Sequence, residues 1–367
     1  MKSKNITGPV LIVGGAGFIG SNLAHRLLSA RRPVVVFDNL SRGGVMENLN
    51  WLARTHGELL QVETGDVRDR RGLAILVRSI RPAQVFDFAA QVAVTTSLSD
   101  PVEDFEVNAR GTLNLLESLR ALGKAAPLVF TSTNKVYGHM DDVPLRANHR
   151  RYEPVESRQR HNGFSEDRGL SFQSPYGCSK GAAEQYVLDY ARSYGLPTVV
   201  FRMSCIYGPH QFGTEDQGWV AHFLIRALED ETITIYGDGK QVRDVLFIDD
   251  LVNAFLLAQQ HISAVRGEAF NIGGGPQNTV SLIELVNLIE AVTGVVPKVI
   301  YDQWRQADQR FYVSDFRRFT KATGWTPKVS VREGVSRLFE WLRQSRGGLT
   351  ATSPSGHQVE AAMPVAH

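Results

Sequence analysis

A glycine-rich turn near the start of the chain constrains the fold more than any other feature. Gly14-Gly15-Ala16-Gly17-Phe18-Ile19-Gly20 follows an apolar run at 10–13 and opens a helical pattern at 18–30. Glycine at 14, 17 and 20 permits a tight turn and lets a pyrophosphate approach the helix N-terminus. Alone, the spacing also suits an ordinary turn. The next apolar run ends in Phe37-Asp38, 18 residues beyond Gly20. A carboxylate there accepts hydrogen bonds from adenosine ribose hydroxyls and repels a 2′-phosphate, which favours NAD over NADP. Strand, glycines, helix, strand and acid in that order predict a dinucleotide-binding unit.

The first half continues the rhythm. Runs at 10–13, 33–37, 59–63, 84–88 and 128–132 read as buried strands. Segments 18–30, 69–80, 102–122 and 175–194 read as helices, and 198–203 as a further strand. Apolar strands alternating with helices imply a parallel sheet covered on both faces, here a doubly wound Rossmann sheet. After Tyr207 the pattern loosens into shorter elements, with glycine turns at 237–239 and 273–275. The expected fold class is α/β, a Rossmann domain with a smaller α/β C-terminal substrate domain. Residues 8–203 with 243–274 form the first, and 204–242 with 275–345 the second. Residues 346–367 read as a disordered tail. The arginine-bearing segment 138–174 reads either as a solvated connection or as a cover over the site.

Composition excludes several classes. Lys+Arg 40 against Asp+Glu 38 leaves +2, so there is no basic field for gripping nucleic acid. Two cysteines build neither a disulfide framework nor a four-thiolate zinc site, which points to a reducing, cytoplasmic setting. No run reaches the roughly 18–20 apolar residues of a membrane span. Residues 1–8 are short and polar, unlike a signal peptide. His210 and His222 lack metal-ligand spacing, so no metal is expected.

The reactive groups come from three places. Tyr176 and Lys180 are one helical turn apart and share a face. An ammonium and an oxidised nicotinamide beside a phenol lower its pKa from about 10 toward use as a base. Thr133 stands in Thr131-Ser132-Thr133-Asn134-Lys135 at a strand's carboxyl end, where ligands bind. Gly65-Asp66-Val67 and Ala89-Ala90 end two other strands on that edge. Asp66 and Val67 are expected near adenine, and Asn39, Ser41 and Arg42 near its ribose.

With these blocks, Asn108-Ala109-Arg110-Gly111-Thr112, Val136-Tyr137-Gly138, Tyr207-Gly208-Pro209, Arg243-Asp244-Val245 and the Arg305/Asp308 pair, the chain resembles the extended short-chain dehydrogenase/reductase family of nucleotide-sugar epimerases and dehydratases. The resemblance runs from residue 10 to about 342. It implies catalysis by Thr133, Tyr176 and Lys180 with tightly held NAD. The implied cofactor contacts are Gly14, Gly17, Phe18, Ile19, Gly20, Asp38, Asn39, Ser41, Arg42, Asp66, Val67, Ala89, Ala90, Gln91, Asn108, Thr131, Tyr176, Lys180 and Met203. Thr133, Asn134, Cys205, Gln211, Arg243, Arg305 and Asp308 are expected at a nucleotide-diphosphate sugar. The arginines are candidates for its diphosphate, since guanidinium forks match phosphate oxygens.

Dehydratases of the family carry Asp-Glu after the catalytic hydroxyl, where this chain has Asn134-Lys135. Epimerisation fits what remains. Segments 89–97 and 202–220 resemble a branch acting on CDP-sugars at the second carbon, and Cys205 replaces the Asn of common 4-epimerases. Cys205 itself reads as a small apolar residue. A 4-epimerase on a UDP- or CDP-hexose and a silent NAD-binding protein are the rival readings. Relatives pair through helices matching 102–122 and 182–194, so a homodimer or homotetramer is expected.

Overall fold

The computed structural model describes residues 8–123, 126–305 and 308–345; the expected tail at 346–367 lies outside them. In chain order the first strands are β1 (Val10–Val13), β2 (Val34–Asp38), β3 (Leu60–Thr64), β4 (Gln84–Asp87), β5 (Leu128–Thr133), β6 (Leu145–Ala147) and β7 (Tyr152–Pro154). The rest are β8 (Thr198–Met203), β9 (Cys205–Tyr207), β10 (Ile233–Tyr236), β11 (Val242–Phe247), β12 (Ala269–Ile272), β13 (Thr279–Ser281), β14 (Val299–Asp302) and β15 (Phe311–Tyr312).

Seven strands form one sheet in the order β3-β2-β1-β4-β5-β8-β12, every pair parallel. The apolar runs explain why. Val10 and Ile12 of β1 pack into one core, and Leu11 and Val13 into the other. With both faces buried, such a strand has no polar side, and the doubly wound α/β expectation holds. Each fully buried aliphatic side chain contributes about 1.5–3 kcal/mol against exposure. The order reverses between β1 and β4, so the loops after their carboxyl ends diverge and leave a crevice.

Three details depart from the sequence reading. β3 was expected to be buried, but it is the sheet's edge, with Gln61, Val62 and Thr64 exposed. The helix expected over 102–122 contains a π turn at Glu106–Arg110 between Pro101–Phe105 and Gly111–Arg120. The extra residue turns Asn108 inward, where it is fully buried. The segment 138–174 holds the β6-β7 hairpin and a short helix, Ser157–Asn162.

The smaller unit is built around β11, which runs antiparallel to β13 and parallel to β15 and β9. Residues 243–274 were expected in the nucleotide domain. The strand partners of β11 all lie outside the seven-stranded sheet, so 242–247 belong with the smaller unit, and the chain rejoins the large sheet at β12. The hairpin was likewise expected with the first domain, yet it clasps the second. Tyr152 N–H donates to Lys240 O at 2.9 Å, Tyr152 Oη to Asp238 Oδ2 at 2.7 Å, and Arg151 Nε to Glu284 Oε1 at 2.8 Å.

Candidate active site

The glycines do what their spacing predicts. Gly14 adopts φ +74°, and a Cβ there would stand 2.6 Å from Ala89 N. A Cβ on Gly20 would stand 2.5 Å from Gly14 O. These two positions need glycine for close backbone packing. Gly17 borders a cavity of about 360 Å³ instead. Helix Phe18–Ser29 starts there with no acidic residue in its first turn. Its backbone N–H groups form an anion cradle at the cavity edge.

That cavity brings together Gly14, Gly17, Phe18, Ile19, Gly20, Arg42, Ala90, Thr131, Tyr176, Lys180 and Met203. The other expected cofactor residues do not line it, and the polar ones among them are bonded within the surrounding loops. Asp38 Oδ2 accepts from Ala16 N–H at 3.0 Å and Oδ1 from Leu40 N–H at 2.9 Å. Asn39 Nδ2 donates to Asp66 Oδ2 at 3.0 Å, and Asn39 Oδ1 accepts from Ser41. The Arg68 guanidinium grips Asp66, holding that carboxyl well below its ordinary range. Val67 is buried under Gly111. The Asp87 carboxylate accepts a hydrogen bond from the Ala89 N–H. Asn108 Oδ1 accepts from Gln91 N–H at 2.9 Å, and Asn108 Nδ2 donates to Gln91 O at 3.0 Å, which pins the loop after β4.

Tyr176 and Lys180 lie in helix Ser174–Tyr194, both buried. Thr133 and Tyr176 line one cavity, and the Thr133 hydroxyl favours the charged form of the phenol. Thr133 Oγ1 also accepts from Lys135 N–H at 3.2 Å, fixing its rotamer at the end of β5. The expected lowering of the Tyr176 pKa is overturned for these residues alone. Burial pushes the phenol up to about 12, opposed by the Thr133 hydroxyl and by Arg42. Arg42 is a cation acting on the phenol. Burial brings Lys180 down to about 8, and Asp87, Asp104 and Glu184 hold it up. Its ammonium sits 4.3 Å from the Phe130 ring centre.

A buried chain that sequence reasoning missed supports this edge. Ser132 Oγ donates to Glu184 Oε2 at 2.7 Å. Arg202 Nε donates to Glu184 Oε1 at 3.0 Å, and Arg202 Nη1 to Tyr137 Oη at 2.9 Å. Tyr137 Oη donates to Asn271 Oδ1 at 2.8 Å. Ser132 and Tyr137 are therefore held on either side of Thr133. The available signal was Glu184 one turn beyond Lys180.

Tyr176 also borders a second cavity of about 490 Å³, together with Thr133, Asn134, Cys205, Gln211, Arg243, Arg305 and Asp308. All the expected substrate residues meet here, but both arginines hold carboxylates. Arg243 Nη2 donates to Asp308 Oδ1 at 2.6 Å and Nη1 to Val242 O at 2.8 Å. Arg305 Nη2 donates to Glu215 Oε1 at 2.8 Å, and its Nη1 stands 3.2 Å from Asp216 Oδ1. Arg305 also stacks 4.0 Å over the Tyr236 ring. Gln211 borders both cavities. Its Nε2 donates to Ile206 O at 3.2 Å, whereas its buried Oε1 has no partner among the described residues. The Cys205 thiol is pushed up by burial and hydrogen-bonded with Trp219, which suits a wall rather than a nucleophile. Sequence reasoning also missed Gln309, whose Nε2 donates to Gly138 O at 2.6 Å behind Asn134. Among the described residues, no group of three or more His, Cys, Asp or Glu could hold a metal ion. No described helix is long and apolar enough to cross a membrane.

The family model described as GDP-mannose 4,6 dehydratase matches residues 11–338. The chain is 44% identical to CDP-paratose 2-epimerase of Salmonella typhi over 90% of its own length and 98% of the relative's. It is 32% identical to UDP-glucose 4-epimerase of Mycolicibacterium smegmatis, over 91% of this chain and 98% of that one. The crystal structure of UDP-glucose 4-epimerase from Thermotoga maritima with UDP-glucose superposes with a TM-score of 0.79 at 32% identity, covering 92% of this chain and 100% of that one. The Thermus thermophilus UDP-glucose 4-epimerase in complex with NAD gives 0.77 at 33% identity, covering 91% and 99%.

Proposed function

The chain belongs to the GDP-mannose 4,6-dehydratase family, and from that premise we propose that it is an NAD-dependent nucleotide-sugar epimerase interconverting CDP-paratose and CDP-tyvelose. One observation carries the reading. Tyr176 stands in the wall shared by a glycine-lined cavity and a cavity that holds Thr133 and two arginines.

The residues fit the cofactor. Gly17 leaves the cradle open, and the N–H groups of helix Phe18–Ser29 suit a pyrophosphate. Asp38, at the end of β2, suits the adenosine ribose, with Asn39, Ser41, Arg42, Asp66 and Val67 beside it. Ala90, Gln91, Asn108, Thr131 and Met203 shape the nicotinamide end. Bound NAD supplies the acceptor and donor of a hydride. Tyr176 as phenolate takes the proton of the sugar 2-hydroxyl. Thr133 steadies that oxygen, and Lys180 orients the nicotinamide ribose and adds positive charge. The oxidised sugar turns over while Arg243 and Arg305 retain its diphosphate, so the returning hydrogen meets the opposite face. Asn134 and Lys135 offer no acidic pair for removing water. Positioning supplies much of the rate.

The 44% identity to a CDP-paratose 2-epimerase favours the second carbon. The second reading, a 4-epimerase on a UDP- or CDP-hexose, draws on the relatives at 32%. NMR of incubations with CDP-paratose, CDP-glucose and UDP-glucose separates them. Inversion of CDP-paratose at carbon 2 is the expected result; inversion at carbon 4 alone discards it. We also place the enzyme in the cytoplasm, as a homodimer or homotetramer. Val102, Phe105, Tyr186 and Tyr194 on helices Pro101–Phe105 and Ser174–Tyr194 are exposed and suit helix pairing.

A further inference from the structure

Arg305 meets the second cavity with its guanidinium fork already filled. Its Nη2 donates to Glu215 Oε1 at 2.8 Å, and its Nη1 to Glu215 O at 3.1 Å. The same Nη1 stands 3.2 Å from Asp216 Oδ1. Tyr236, whose ring lies 4.0 Å from the guanidinium, also donates its hydroxyl to Glu215 Oε1. Both carboxylates ride on one turn. Thr214 N–H donates to Gln217 O at 2.8 Å and Gln217 N–H to Thr214 O at 3.1 Å, which puts Glu215 and Asp216 at the tip. Gly213 and Gly218 flank the turn, Gly218 at φ +77°. The tip residues and Arg305 all line the cavity.

With the tip in place, one cation faces two anions at this end of the cavity. A diphosphate brings further negative charge and competes for the same planar fork. Tip and diphosphate therefore exclude each other at Arg305. The side chains of Glu215 and Asp216 are 47% and 45% exposed. They return to water at little cost, as the partners of exposed ion pairs do.

We propose that the 214–217 turn is an autoinhibitory plug, whose two carboxylates hold Arg305 until the diphosphate of the nucleotide-sugar substrate takes their place. This rests on the functional reading above and adds a regulatory step to it. A ligand too weakly anionic to displace the tip gains nothing from Arg305, so the plug sharpens selection for diphosphates.

The test is calorimetric binding of CDP and UDP to the NAD-loaded protein, wild type against the double variant Glu215→Gln/Asp216→Asn. Hydrogen–deuterium exchange of peptides covering 212–218 is followed in wild type with and without CDP. The variant is expected to bind CDP about three- to tenfold more tightly, because no exposed ion pair has to be broken first. CDP is expected to speed exchange at the turn in wild type, because the tip loses its anchor. Equal or weaker binding by the variant overturns the inference. Tighter binding with unchanged exchange overturns it too, since that reports charge repulsion at a distance. Slowed exchange overturns it by showing a turn that closes on the ligand. The same pattern with UDP in place of CDP supports it and reassigns only the base. If neither protein binds either diphosphate, the nucleotide-sugar reading falls, whereas two proteins that bind alike dispose of the plug alone.

Discussion

Thr133 and Tyr176, 43 positions apart in the chain, line the same cavity, and Tyr176 also borders the glycine-lined one. One comes from the end of a central strand, the other from the first turn of a long helix. The Thr133 hydroxyl opposes the burial that pushes the phenol to about 12. A buried, neutral phenol needs added positive charge before it can act as a base near neutrality. Chemistry is thereby tied to occupancy of the cradle.

Tyr176→Phe removes the proton acceptor and leaves the ring. Turnover of the epimerase substrate is expected to fall about 10²–10⁴-fold, the range of general acid–base catalysis. Steady-state kinetics with NAD content measured on the same sample checks this. Full activity in the variant rejects the assignment.

Gly20→Ala places a methyl 2.5 Å from Gly14 O, a backbone atom that cannot move aside cheaply. The turn is expected to open and the purified protein to carry much less NAD. Absorbance and enzymatic assay of the released nucleotide provide the measure, with circular dichroism confirming that the fold persists.

Glu184→Ala strands the buried Arg202 and frees Ser132. Breaking a buried ion pair from one side costs about 3–5 kcal/mol. Denaturant unfolding is expected to show a loss of that order. Activity is expected to fall as well, since Thr133 loses the support of its neighbour.

His210 stacks 3.6 Å from the Trp51 ring centre, and burial with nearby His25 lowers it from 6.5 to about 4. The unfolded chain then binds more protons than the folded one between those values. Stability is complete above pH 6.5 and declines as pH falls toward 4. The full linkage is worth about 3 kcal/mol. Thermal melts from pH 7 to 4 should show a smaller acid loss in His210→Phe than in wild type.

Much was legible because it depends on local order. Gly14, Gly17 and Gly20 sit within one turn, and Tyr176 and Lys180 within another, so spacing alone predicts which atoms share a face. The apolar run of β1 told that both faces of the sheet were covered. Less visible were features decided by neighbours. An edge and a central strand differ little in sequence, and β3 was read as buried. The π turn that inserts Asn108 carries no compositional mark.

By itself, then, the sequence determined a doubly wound sheet, a tight glycine turn before the first helix and a helix that sets Tyr176 and Lys180 one turn apart. These follow from periodicity and backbone freedom over a few residues. Only the tertiary structure decided what surrounds each charge: Asp308 against Arg243, 65 positions away, Asp87 and Asp104 beside Lys180, Arg42 acting on Tyr176. Electrostatic interactions act through space and through burial, and neither is defined until distant segments have been packed together.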